Sequence, residues 1–146
     1  MTVQLSEVMR SLAQHMHNVG VADYRPTDVY PDDLALPALS LGDFPISPIR
    51  SVAVIFYGRD PDVFTTTHSP LLRVQLAWRS DSEDPLDVMD MAEDGFRELH
   101  SLTPGLWPGG VHPLWMLRTI TNKPERDQND RWIQADSYDL QLNPGE

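Results

Sequence analysis

The sequence predicts a single α+β domain, a mainly antiparallel sheet with two helices packed on one face. Three observations lead there. Amphipathic helical stripes mark residues 3–19 and the stretch after Asp84-Pro85, strand-like runs lie between and after them, and no internal repeat or low-complexity tract breaks the order helix, strands, helix, strands. A chain of 146 residues with 40% apolar content suits one core spanning residues 1–146, whereas two cores would each be unusually small.

In the first helix, Leu5, Val8, Met9, Leu12, Met16 and Val19 recur at three- and four-residue intervals and fall on one stripe. Glu7, Arg10, Gln14 and Asn18 face the other way, and Gly20 stands where helices commonly end in a left-handed turn. Residues 21–50 carry Pro26, Pro31, Pro37, Pro45 and Pro48, so no long helix runs through them; Val21–Arg25 and Ala38–Leu41 are the short strands expected there. Ser51–Tyr57 is apolar in both parities, the pattern of a strand covered on both faces, and is the expected central strand. Gly58–Pro70 is turn-rich and long enough to have a task of its own. Leu71–Ser80 then alternates, with Leu72, Val74, Leu76 and Trp78 on one side and Arg73, Gln75 and Arg79 on the other, as a half-exposed strand does.

Asp84-Pro85 opens the second helix with an acceptor at N-cap and proline at the first helical position. Val88, Met89, Ala92, Phe96 and Leu99 form its expected apolar stripe, while Asp87, Asp90, Asp94 and Glu98 make an acidic face opposite. After a turn at Thr103–Gly110, His112–Thr121 and Arg131–Leu142 read as a hairpin around the polar loop Asn122–Asp130. The apolar parity of the last strand changes from Ile133 and Ala135 to Tyr138, Leu140 and Leu142, which predicts a bulge near Asp136-Ser137.

Charge and composition narrow the function. Twenty-two carboxylates against eleven cations give a net charge of −11, the wrong sign for a protein that holds nucleic acid by displacing phosphate counterions. With no cysteine, disulfides, thiolate metal sites and thiol catalysis are excluded. Neither a long apolar run nor a basic, apolar-cored leader is present, so no membrane contact and no secretory signal are expected.

Candidate chemistry is sparse. His15 and His17 point to opposite sides of a helix and cannot grip one ion, and His68, His100 and His112 lack ligand spacing, so helix surface and isolated histidines are the readings. Asp81, Glu83, Asp84 and Asp87 lack the glycine and terminal glutamate of an EF-hand loop and read as a solvated helix entrance. Gly109-Gly110 precedes a strand, not a helix, and reads as a tight turn. No G-x-S-x-G occurs, and Trp78, Trp107, Trp115 and Trp132 are better placed in core or interface than on a ligand platform. No enzyme, no catalytic residue, no cofactor and no metal are therefore expected.

The order of the middle segments carries a resemblance. Asp43-Phe44-Pro45-Ile46-Ser47-Pro48 leads into SVAVIFY, Gly58 and an Asp/Pro loop; Ser69-Pro70, the strand LLRVQLAW, Asp84-Pro85 and a helix ending near Leu99-His100-Ser101-Leu102 follow. This resembles the small minor-capsid or tail-terminator proteins of long-tailed bacteriophages, whose pattern runs helix, prolines, a VVVxxYGG strand, a PxVQVxVR strand and an A…L…L helix. The likeness spans residues 1–142 and is one of segment order rather than chemical motif; Gly58-Arg59 stands where a double glycine is more typical. It implies a structural virion protein that forms a ring with itself, usually a hexamer, on the head-proximal end of the tail tube. Such a ring stops tube polymerisation and docks the head-tail connector protein. The implied location is the phage tail and neck, with assembly in the host cytoplasm.

An acidic ring suits this role, because negative potential lets a duplex pass without holding it and without sequence-specific binding. Arg59, Asp60, Asp62, Phe64 and His68 in one loop, and Lys123 and Arg126 in the other, are the expected contacts with neighbours or the tube. Two rivals come from other classes, a DNA mimic and an enzyme using a metal bound by scattered His and Asp residues, and a third comes from the same class. A DNA-mimic inhibitor would use the Asp87, Asp90, Asp94 and Glu98 face, whose carboxylates lie about 5–6 Å apart on a helix. Another head-tail neck protein would share the same layout.

Overall fold

A computed structural model describes residues 4–26, 29–31, 33–59 and 71–142. The elements run α1 (Leu5–Asn18), β1 (Ala38–Leu41), β2 (Ser51–Arg59), β3 (Leu71–Arg79), α2 (Pro85–Leu99), β4 (Pro113–Thr121), β5 (Glu125–Arg126) and β6 (Trp132–Leu142), with a 3-10 turn at Pro108–Gly110. All strands join one sheet in the order β1-β2-β3-β6-β4, with β5 beside the start of β6. Among the described residues β1 and β2 pair in parallel, and the other ladders between strands are antiparallel. The α+β class, its mainly antiparallel sheet and its element order are those the sequence predicts.

Both helices pack on the same face. Val52, Val54, Leu72, Val74, Leu76, Trp78, Met116, Tyr138 and Leu140 point into one apolar cluster with Val8, Leu12 and Met16 of α1 and Val88, Met91, Ala92 and Leu99 of α2. Gly20 turns the chain away from α1 with φ 83°, a conformation a side chain would strain. At α2 the Asp84 carboxylate accepts the Leu86 amide at 3.0 Å and Pro85 fills the first turn, the cap read from the sequence.

The buried stripe of α2 is nevertheless rotated from the expected one. Val88, Met91, Ala92, Gly95 and Leu99 are buried, whereas Met89 is largely exposed and Phe96 half-buried. Gly95 is the cause: a Cβ there would stand 2.4 Å from Trp78 Cζ2, so the missing side chain lets the helix lie directly on the indole. Hydrophobic periodicity weights large side chains and cannot place a glycine at the centre of a contact.

Three other expectations are corrected. Val21–Arg25 forms no strand and contributes a single bridge, Asp23 to Ala38. Ser51–Tyr57 does lie inside the sheet as expected, between β1 and β3 and with residues of both parities buried over 51–54. β3 is not half-exposed throughout, since Ala77 and Arg79 are buried on the face expected in water. Against β3, β6 runs from Ile133 to Gln141 without a bulge. The register shift lies instead on β4, between Arg118 and Ile120, opposite Tyr138 and Ser137. The parity change along β6 arises because its core-facing positions 134 and 136 are polar: Gln134 and Asp136 are both buried there.

Candidate functional site

The most polar part of the core sits beneath α2. Asp136 is fully buried and accepts from Thr121 Oγ1 at 2.8 Å and Gln134 Nε2 at 3.3 Å. Arg118 reaches it at 3.5 Å and meets Glu93 of α2 at 3.0 Å, with its guanidinium 3.9 Å from the Phe96 ring centre. The Arg118 amide also donates to His100 Nδ1 at 2.9 Å. One side chain thus ties α2, β4 and β6 together. Burial, reinforced by Asp136, pushes the neighbouring Tyr138 phenol above its usual range. These titratable groups run from fully buried Asp136 through Arg118 to Glu93 at the helix surface, and each charge has its partner. That arrangement fixes α2 against the sheet.

The acidic face of α2 is only partly free. Asp90, Asp94 and Glu98 are exposed, Asp94 pairing with Arg97. Asp87 is drawn inward, where Arg50 holds it at 2.9 Å and the Ser80 hydroxyl donates to it. The expected row of four equivalent carboxylates is therefore three carboxylates and an engaged one.

The other face of the sheet carries no helix among the described residues, and a proline-rich strap crosses part of it. Parallel strands β1 and β2 are joined by residues 42–50, which must return the full length of β1. Arg79 holds them: its guanidinium donates to the carbonyls of Pro45, Ile49 and Pro48 at 2.5, 2.6 and 3.1 Å and lies over the Phe44 ring. Burial, with Arg131 nearby, lowers the Arg79 pKa from its ordinary value. Ile46 rides on the outside of this strap, 98% exposed. Beyond the strap, Tyr57 and Ile120 are also exposed, with Trp115 and Leu117 half-buried.

Both sheet edges are guarded. On the β4 side Ser101 and Met116 exchange two backbone hydrogen bonds of 2.8 and 2.9 Å, and on the β1 side the Leu39 amide donates to Asp23 at 2.9 Å. The Tyr30 hydroxyl donates to the Leu39 carbonyl at 2.5 Å. Such coverage blunts strand addition. Beyond the end of β1, an open groove of about 490 Å³ lies between α1 and β2, lined by Ser6, Met9, Arg10, Leu41, Val54 and Phe56 among others. Among the described residues Arg10 takes part in no ion pair.

Of the expected contact residues, Asp60, Asp62, Phe64 and His68 lie outside the described residues, and Arg59 closes β2. Lys123 is exposed in the β4–β6 hairpin, where Arg126 pairs with Asp130 at 2.9 Å and lies 4.5 Å from the Trp132 ring centre. Trp78 and Trp107 are core residues, and Trp132 ties the hairpin to the α2 entrance by donating to the Glu83 carbonyl at 2.8 Å. His15 is not simple helix surface. It stacks on Trp107 with ring centres 5.0 Å apart, and burial lowers its pKa against the opposing pull of Glu98. His17 Nδ1 accepts from the Tyr24 amide at 3.2 Å. Among the described residues no cluster of three or more His, Asp or Glu is placed to hold a metal, and no helix is long and apolar enough to cross a membrane.

Sequence reasoning missed Arg79, Arg118, Asp136 and the groove at Arg10. Only Asp136 had a visible signal: an acid where strand parity demands an apolar residue.

Comparison with known proteins agrees with this architecture. A chain from the virion of a native gene transfer agent particle has a similar fold, with a TM-score of 0.56 and 14% identity over 94% of this chain and 92% of its own. No curated protein matches the sequence. The family model described as bacteriophage tail terminator protein matches residues 15–144. Spanning nearly the whole chain, that match shows that the protein belongs to the bacteriophage tail terminator family.

Proposed function

We infer that this protein caps the head-proximal end of a phage tail tube as a ring, stops its polymerisation and presents a docking surface to the head-tail connector. It does so by shape and charge, without making or breaking a covalent bond. Family membership makes it a structural component of a phage or phage-like virion, and the match over residues 15–144 carries the reading. The rest is supported by the architecture. The Arg118 cluster serves to tie α2 to the sheet, which fits a protein that works through its surface. Three exposed carboxylates on α2 and a net charge of −11 favour passage of DNA over retention.

On this reading the segment with Arg59, Asp60, Asp62, Phe64 and His68, and the hairpin with Lys123 and Arg126, contact neighbouring copies or the tube. Ring closure from copies of one chain needs two different, complementary patches. The DNA-mimic alternative loses support, because Asp87 is committed to Arg50 and Ser80.

The test is tube growth. Added to polymerising tail-tube protein of the same phage, the chain should fix tube length and appear at one end by electron microscopy. Tubes that keep elongating at saturating protein would refute capping.

A further inference from the structure

We propose that Ile46 of one copy inserts into the groove between α1 and β2 of the next, with Asp43 of the first facing Arg10 of the second. The proposal rests on the ring reading for its purpose but not for its evidence. Ile46 is almost wholly in water on a segment that is held rigidly, since Arg79 donates to the carbonyls of Pro45, Pro48 and Ile49 around it. A fixed, exposed aliphatic side chain on a turn is a preorganised knob, because little ordering entropy remains to be lost on docking. The groove is its counterpart, with Met9, Leu41, Val54 and Phe56 as apolar lining.

Charge selects the occupant. Copies of a −11 chain repel, so they can meet only where acid is answered by base or is absent. Arg10 lines the groove and is in no ion pair among the described residues, while Asp43, three residues before Ile46, is exposed. Asp43 Oδ1 accepts from the Phe44 amide at 2.7 Å, and although its charge also acts on Arg79 of its own copy, the exposed carboxylate keeps lone pairs for a second cation.

Position makes the contact heterologous. The strap is held by Arg79 on one side of the sheet, and the groove opens between α1 and β2 with Gly42 at its rim, so knob and hole are two different patches of one copy. A patch that cannot meet itself must meet a neighbour, and repetition of that step gives a closed ring or an open chain. Because both sheet edges are partly covered, at Met116 and at Leu39, the contact is assigned to side chains and not to added strands.

The absence of native cysteine gives a direct test with the full chain. Ile46→Cys and Leu41→Cys are prepared separately and oxidised alone and as a mixture, with and without tail-tube protein of the same phage. Disulfide dimers in the mixture, and not in either variant alone, are expected. No dimer in the mixture under either condition, or efficient self-linking of Ile46→Cys, overturns the proposal. In the native-cysteine-free background, Arg10→Asp and Asp43→Arg should each weaken self-association about tenfold, equivalent to about 1.4 kcal/mol. The double variant should recover it, and additive losses would count against the pair. Capping of tubes without cross-linking leaves the proposed function standing and removes this contact; cross-linking without capping does the reverse.

Discussion

On the helical side of the sheet, α2 rests on Trp78 because Gly95 leaves room for the indole, and the contact is apolar and fully buried. On the opposite side, residues 43–50 are held by one guanidinium that donates to three backbone carbonyls. The first attachment is strong because it removes apolar area from water, and losing it empties a core. The second is directional: it specifies where the strap lies while burying little apolar area, so its loss should loosen a segment without melting the domain. The side that stabilises the molecule and the side offered for contacts are thus built from different forces.

That contrast can be broken at several points. Trp78→Ala should cost about 3–5 kcal/mol, read as a fall in the denaturation midpoint. A loss below about 1 kcal/mol would show that α2 does not depend on the indole. Gly95→Ala should cost about 1–3 kcal/mol by overpacking. Trp78→Phe in the same chain should recover part of that cost, and strict additivity would deny the contact. Arg79→Met leaves three carbonyl acceptors without their donor, at about 1–3 kcal/mol. Hydrogen exchange should then quicken across residues 42–51 while α2 amides keep their protection; equal quickening of both would erase the distinction between the two sides. Asp84→Ala removes the helix cap and should cost about 1 kcal/mol, again by denaturation.

The smallest effect concerns His15. Burial lowers its folded-state pKa, so below the ordinary histidine value the unfolded chain binds the extra proton more readily. Stability from this group is full at neutral pH and declines as pH falls through about 6.5 toward the folded value. His15→Gln should flatten that part of the stability–pH curve, and an unchanged slope would assign it to other groups.

How far the sequence could be read follows from the same contrast. The fold class and most elements were legible because periodicity and caps are local signals: Asp84-Pro85 opens α2, and Leu72, Val74, Leu76 and Trp78 all point into the core. What escaped depends on distant partners. Met89 and Met91 are equivalent to any hydrophobicity count until Gly95 meets Trp78. Gln134 and Asp136 read as outward-facing until Arg118 and Thr121 are placed beside them. Arg79 reads as solvent-facing because nothing local announces that a strap will cross it. Of the expected contact residues, Lys123 and Arg126 are exposed on the hairpin, but the patches with a pronounced shape, Ile46 and the groove at Arg10, are products of topology.

The ladder between β3 and β6 has a kinetic consequence. It joins segments separated by all of α2 and β4, so the middle of the sheet cannot zip up from a local turn. A large loop must close before any reward is collected, which slows refolding relative to a helical protein of equal size. During that search β3 shows an unsatisfied flank, and a nascent chain made in many copies at once is most vulnerable to clumping then, before its final partner emerges from the ribosome.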